Sequence, residues 1–394
     1  MTALAGQTEY DLIVIGGGIH GLMVAMVAAE AGQRVALFDK SDLGVATSGG
    51  WYGILHGGLR YLQSADLRRF RESIVSRRWF AANVAAHVAK MPFLMPLYGR
   101  GLKRPSVFRG AFLADELAGW DRNREVDHGL RITRGKVLNR SDTINLCQHL
   151  PQSHLQGGAL WEELVVPDSQ KFFGALIERA KSLGVAFFPS TEVSELLTSD
   201  NKVAGIKAQT LGGPNAVEVR AHLVVNAAGP WAWELNARLD PDRARKQPLA
   251  LAFNMVLAPK APAPVGVSLY PAVGDGDMLF LYPQGAQTFA GTWYVPHRGT
   301  ADDQSVDQKD VDQFLTALNG SLNGIEYRSE DVVSIRSGLL PVVEAGTTRL
   351  ASEDQVFDHG SAGGPKGFFT QVGVKYTTAR LVAGRTLRAA KLLA

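Results

Sequence analysis

Cysteine is almost missing: the 394-residue chain has one, Cys147. A single thiol excludes an internal disulfide and the thiolate cages that hold zinc or iron–sulfur clusters. An excess of one charge is missing too. Lys and Arg number 41 against 38 Asp and Glu, which is not the clustered basic surplus of a nucleic-acid binder. No apolar run approaches the roughly 18 residues of a membrane span. The start, Met1 to Tyr10, lacks the basic and apolar regions of a secretory signal. The histidines form no HExxH or other close pair, and the acidic residues show no calcium-loop spacing, so no metal is expected. These absences leave a cytoplasmic globular protein. Its 46% hydrophobic residues suffice for a buried core, and its length suggests two domains.

What is present begins with a short β-branched run, Asp11-Leu-Ile-Val-Ile15. Three glycines and the Ala-rich stretch Leu22 to Ala31 follow, with Gly32 as a C-cap and Arg34 to Phe38 as a second strand. Gly16-x-Gly18-x-x-Gly21 therefore sits between a strand and a helix, where glycines permit the tight turn and the approach of a pyrophosphate to helix N-terminal amides. Asp39 ends the second strand, placed to bind ribose hydroxyls and to repel a 2′-phosphate. This fingerprint fits NAD and FAD alike.

Beyond it, Asp66 to Val88 reads as an Arg-rich helix, and Phe93 to Arg109 as an irregular connection of apolar and basic residues, Arg100 among them. An α/β rhythm returns with helix 168–183 and strands at 185–188, 202–209 and 223–226. Between Pro248 and Leu340 the signals become strands (251–257, 278–282, 288–293) with one helix near 306–322. A final strand, 367–372, leads into a helix at 376–393. The fold expected is α/β: a Rossmann-type, glutathione-reductase-like nucleotide domain (1–90, 150–245 and 345–394) with a mixed or antiparallel sheet domain for the substrate (91–149 and 246–344).

The run Ala46 to Leu62, ending His56-Gly-Gly-Leu-Arg-Tyr-Leu62, resembles the flavin-covering segment of FAD-dependent glycerol-3-phosphate dehydrogenases and oxidases, in the D-amino-acid-oxidase-like superfamily. Val225-Asn-Ala-Ala-Gly-Pro-Trp231, Ser337-Gly338 with Pro341, and Gly373-Val-Lys-Tyr-Thr-Thr378 are similar to further elements of that family, so the likeness spans nearly the whole chain. The sequence ends directly after the helix that follows the last of these, so a minimal two-domain version without the helical extension of many dehydrogenase members is expected.

The resemblance implies non-covalent FAD. Gly16, Gly18, Ile19 and His20 would meet the pyrophosphate, Asp39 and Lys40 the adenosine ribose, Thr47 and Ser48 the phosphate linker, and the backbone of Val193 the adenine. Leu55, Ala228, Gly229, Gly373, Lys375, Tyr376 and Thr377 would lie against the cofactor, with amides near the flavin pyrimidine. His56 would act as base while hydride leaves for flavin N5, or else merely hydrogen-bond backbone. Arg60, Tyr61 and Lys375 would face the substrate, with a surface ion pair as the plain alternative for Arg60.

Three departures bear on the substrate. Leu340 stands where the family has a phosphate-binding arginine, Asn254 replaces a histidine, and Gly291-Thr-Trp-Tyr294 replaces a GTTD element. Arg336 could supply a displaced cation or serve only as an ion-pair residue; Trp293 and Tyr294 could wall the pocket or pack the core. The expected chemistry is oxidation of a CH–OH group in a glycerol-3-phosphate-like or polyol substrate, with oxygen or a quinone as acceptor. CH–NH oxidation, or flavin binding without catalysis, are the other readings. The segment Arg100 to Phe112 could touch the inner membrane surface, with Phe108 and Phe112 dipping in, or could be a solvated basic face over core aromatics.

Overall fold

The computed structural model describes residues 9–63, 66–99, 101–213, 215–243, 245–271 and 278–393; Arg100 and the first eight residues lie outside these. Two sheets organise the chain. In the first, Glu9–Ile15 lies between two parallel neighbours, Val35–Phe38 and Val217–Asn226. Ala186–Phe188 extends one side, and Phe368–Val372 then Gln355–Asp358 extend the other. Strands covered on both faces need apolar residues without alternation, and Leu12, Ile13 and Val14 are fully buried. Helices Ile19–Glu30, Ser169–Ser182 and Ala379–Ala389 share a core with one face of this sheet. The hairpin Thr191–Ser199/Lys202–Thr210 and helix Ala232–Leu239 share a core with the other.

The second sheet runs in the order Val332–Pro341, Leu249–Leu257, Gln287–Pro296, Leu279–Gln284, Gly266–Leu269, Ala89–Leu97, Gly157–Val165 and Ile54–Leu55, with Lys136–Asn139 also on Gly157–Val165. It is antiparallel except where Gly266–Leu269 meets Ala89–Leu97. Helix Gln308–Asn319 packs Phe314 against Phe253 and Trp293 at ring separations of 5.7 and 5.5 Å. Gly157–Val165, which the expected boundaries assign to the nucleotide domain, pairs in this second sheet.

Ala89–Leu97 corrects the irregular connection expected there. Pro92 and Pro96 obscure the strand pattern, and they are tolerated because one neighbour, Gly266–Leu269, pairs only at Phe93 and Leu94. Helix Pro105–Ala118 follows, with proline in its first turn. Phe108 and Phe112 are buried against Met95, Leu97 and Ala159, so neither is available to enter a lipid surface; Leu113, Leu117 and Trp120 are the exposed apolar residues there. Among the described residues no helix is long and apolar enough to cross a membrane. Cys147 is buried just beyond helix Arg140–Leu146.

Candidate active site

A cavity of about 740 Å³ opens between the two sheets, within the roughly 300–1,000 Å³ of ligand pockets. Its first wall is the glycine turn. Gly16 has φ of +106°, a conformation side chains rarely adopt, and its amide donates to the Phe38 carbonyl at 2.7 Å. Gly18 then caps helix Ile19–Glu30 without a side chain, and Gly18, Ile19 and His20 line the cavity; Ile19 N donates to Ser48 Oγ at 2.9 Å. The positive end of the helix thus faces the space where a diphosphate would enter. Asp39 is fixed beside it, accepting from Gly17 N at 2.6 Å and from Ser41 N and Oγ at 2.8 Å.

The loop after Phe38 and the segment after Val372 form the rest of the near wall. Trp51 stacks on Tyr376 at 3.7 Å. Ala228 is held by its amide donating to Asn226 Oδ1, while Asn226 Nδ2 donates to the Ala232 carbonyl and to Asn236 Oδ1. His20 turns toward the C-terminal segment: Gln371 Nε2 lies 3.3 Å from its Nδ1, and the space a Cβ on Gly373 would fill is taken by its ring. Burial lowers the His20 pKa, opposed by Asp354 and by the Lys375 backbone.

Of the residues expected around the cofactor, Gly16, Gly18, Ile19, His20, Asp39, Lys40, Thr47, Ser48, Val193, Ala228, Gly229, Gly373, Lys375, Tyr376 and Thr377 line the cavity; Leu55 is buried behind the wall. Thr47 and Lys40 also have side-chain partners within the protein. The Thr47 hydroxyl donates to the Leu339 carbonyl and accepts from its amide, 3.2 Å each, so it clamps the second sheet. Lys40 Nζ pairs with Asp302 at 3.0 Å and lies over the Trp231 ring, whose Nε1 donates to the same carboxylate at 2.7 Å. Asp302 had no local signal to single it out, since it lies 262 residues from Lys40.

At the other end, His56 lies on the wall, and its ring centroid is 6.3 Å from that of Tyr61. Lys375 Nζ sits over Tyr61, 4.4 Å from its centroid. Burial first, then Lys375 and Arg77, lower the His56 pKa to about 4. The following residue is fixed: Gly57 N donates to Glu163 Oε2 at 2.7 Å, and Arg77 Nη1 donates to the same oxygen at 2.6 Å. Arg60 and Arg336 do not join the wall. Arg60 is exposed on the short helix Leu59–Gln63. Arg336 spreads its guanidinium over Phe289, 4.8 Å from the centroid and beside Tyr282, a cation–π contact. Trp293 packs on Phe314, whereas Tyr294, Thr292 and Asn254 reach the cavity.

Comparison with known proteins agrees with this geometry. The family model described as FAD dependent oxidoreductase matches residues 11–383. A glycerol-3-phosphate dehydrogenase 2 of Mycobacterium tuberculosis is 29% identical over 389 residues, 98% of this chain and 63% of that protein. An alpha-glycerophosphate oxidase of Streptococcus pyogenes is 28% identical over 368 residues, 90% of this chain and 58% of that protein. The chain therefore spans just under two thirds of the curated relatives it matches. A glycerol-3-phosphate dehydrogenase from Bacillus halodurans, solved with FAD, superposes with a TM-score of 0.72 at 22% identity, covering 97% of this chain and 64% of that one. A glycine turn, a carboxylate at the end of the second strand and a two-sheet cavity occur here in a chain matched along almost its whole length, and the protein belongs to the FAD dependent oxidoreductase family.

Proposed function

We propose that the chain oxidises a CH–OH group of a small polar substrate, with hydride passing to N5 of FAD and oxygen or a quinone as the final acceptor. The observation that carries this reading is His56 and Lys375 on one wall of the cavity whose other end holds the glycine turn and Asp39. The cavity suits FAD on physical grounds: a glycine turn at the positive end of a helix for the diphosphate, a carboxylate for the ribose, and the Trp51/Tyr376 stack beside space for a flat ring. When bound, the flavin supplies a two-electron acceptor for hydride.

The chain's own residues handle the proton. With its pKa near 4, His56 is neutral at pH 7, so its ring can accept the substrate hydroxyl and orient it. Lys375 and Arg77 oppose a lasting positive charge on it. Lys375 also supplies positive charge where an anion would develop.

His56→Asn is expected to slow anaerobic flavin reduction by about 10²–10⁴-fold, the usual worth of a general base, with FAD affinity unchanged. The acid limb of the reduction rate should fall near pH 4 rather than 6.5, and Lys375→Met should move it upward because a charge that disfavours protonation is removed. A His56→Asn protein that reduces at the original rate would remove the CH–OH assignment and favour CH–NH oxidation, which needs no such base.

A further inference from the structure

The charges around the reacting end narrow the substrate class, an inference that rests on the alcohol oxidation proposed above. The second sheet presents Leu249, Ala252, Asn254, Thr292, Tyr294 and Leu340 to the cavity, none of them charged. Asn254 is occupied: its Nδ2 donates to the Gly50 carbonyl and its Oδ1 accepts from Thr292 Oγ1. Of the nearby guanidiniums, Arg77 is paired with buried Glu163, while Arg60 and Arg336 are off the wall. Lys40 and Arg238, also on the wall, are paired with Asp302 and Glu192 at 3.0 Å. Among the described residues of the wall, Lys375 is the cation with no carboxylate at ion-pair distance.

A phosphate monoester carries about −1.5 to −2 charges at pH 7 and calls for several charge-assisted donors. One ammonium beside a neutral imidazole matches a single negative charge. An ammonium on the substrate would be repelled by Lys375, and a triol would leave its hydroxyls against Ala252 and Leu340. We propose that the substrate is a 2-hydroxycarboxylate with an aliphatic side chain, its carboxylate on Lys375, its carbinol at His56 and its alkyl group on the apolar part of the second sheet. The C2–H bond breaks and the hydrogen leaves with both electrons to the flavin. The O–H bond breaks and its proton goes to His56. The carbinol becomes a carbonyl, giving a 2-oxo acid, and the two electrons then pass to oxygen or a quinone.

The test is binding to the oxidised holoprotein, read as perturbation of its flavin absorbance, with 2-oxo-4-methylpentanoate, glycerol 3-phosphate, 4-methylpentane-1,2-diol and leucine as probes. The oxo acid is expected to bind at least about tenfold more tightly than the other three. Lys375→Met should cost the oxo acid about tenfold or more and cost the uncharged diol several-fold less than that. Leu340→Arg should raise affinity for glycerol 3-phosphate about tenfold or more. Equal or tighter binding of glycerol 3-phosphate, diol or leucine to the unmodified protein overturns the proposal, as does unchanged oxo-acid binding in Lys375→Met or no perturbation by any probe. Failure of the underlying oxidation reads differently: ligands bind in the expected order, yet neither 2-hydroxy-4-methylpentanoate nor any other alcohol reduces the flavin.

Discussion

Gly18→Val should purify as a folded, colourless protein. Gly18 has φ of −73° and ψ of −179°, which any residue adopts, so the substitution carries no backbone strain. An added Cβ would meet only Ser48 Oγ, at 3.0 Å, inside the fold. Gly16 is different: its φ is positive, and a Cβ there would run into the Ala227 carbonyl at 2.5 Å, so changing it would damage the fold as well. At Gly18 the branched side chain instead fills the space in front of the first-turn amides. FAD affinity is expected to fall by about two orders of magnitude or more, roughly 3 kcal/mol, with circular dichroism unchanged. A stoichiometric yellow protein would place the diphosphate elsewhere.

The largest stability effect is expected at Glu163. Its carboxylate is buried together with Arg77, and it accepts from Arg77 Nη1, Gly57 N and Trp161 Nε1. Glu163→Leu would leave a guanidinium and a backbone amide without their acceptor in a region closed to water. Removing one partner of a buried pair costs about 3–5 kcal/mol, seen as a lower denaturation midpoint. Because Gly57 adjoins His56, the remaining folded protein should also reduce its flavin more slowly. Replacing both partners, as in Arg77→Leu/Glu163→Leu, should recover a good part of the stability, since no buried charge is then left unpaired. A double variant as unstable as the sum of the two single ones would mean that the pair acts through packing instead of charge.

The nucleotide half of the site was legible because its determinants are local. A β-branched run, a glycine turn, an Ala-rich helix and a terminal Asp39 lie within 29 residues, and short-range sterics and amide geometry dictate where each goes. The second sheet was less legible. Pro92 and Pro96 hid the strand Ala89–Leu97, and Gly157–Val165 pairs with it across two helices and the strand Lys136–Asn139, which no periodicity connects. Partners were least legible of all: Asp302 on Lys40, Glu163 on Gly57 and Leu339 on Thr47 join residues 106 to 292 positions apart. Arg336 shows the same limit from the other side. Its position on the strand was readable, but that its guanidinium lies over an aromatic ring depended on Phe289, on a different strand.

The most direct test of alcohol oxidation at this flavin site is an anaerobic absorbance titration of the purified protein near the flavin band, adding 2-hydroxy acids, glycerol, glycerol 3-phosphate and amino acids in turn. Rapid stoichiometric bleaching by a hydroxyl-bearing compound, lost in His56→Asn, is the expected result. Bleaching by amino acids alone, or an oxidised spectrum unchanged by all of them, would contradict it.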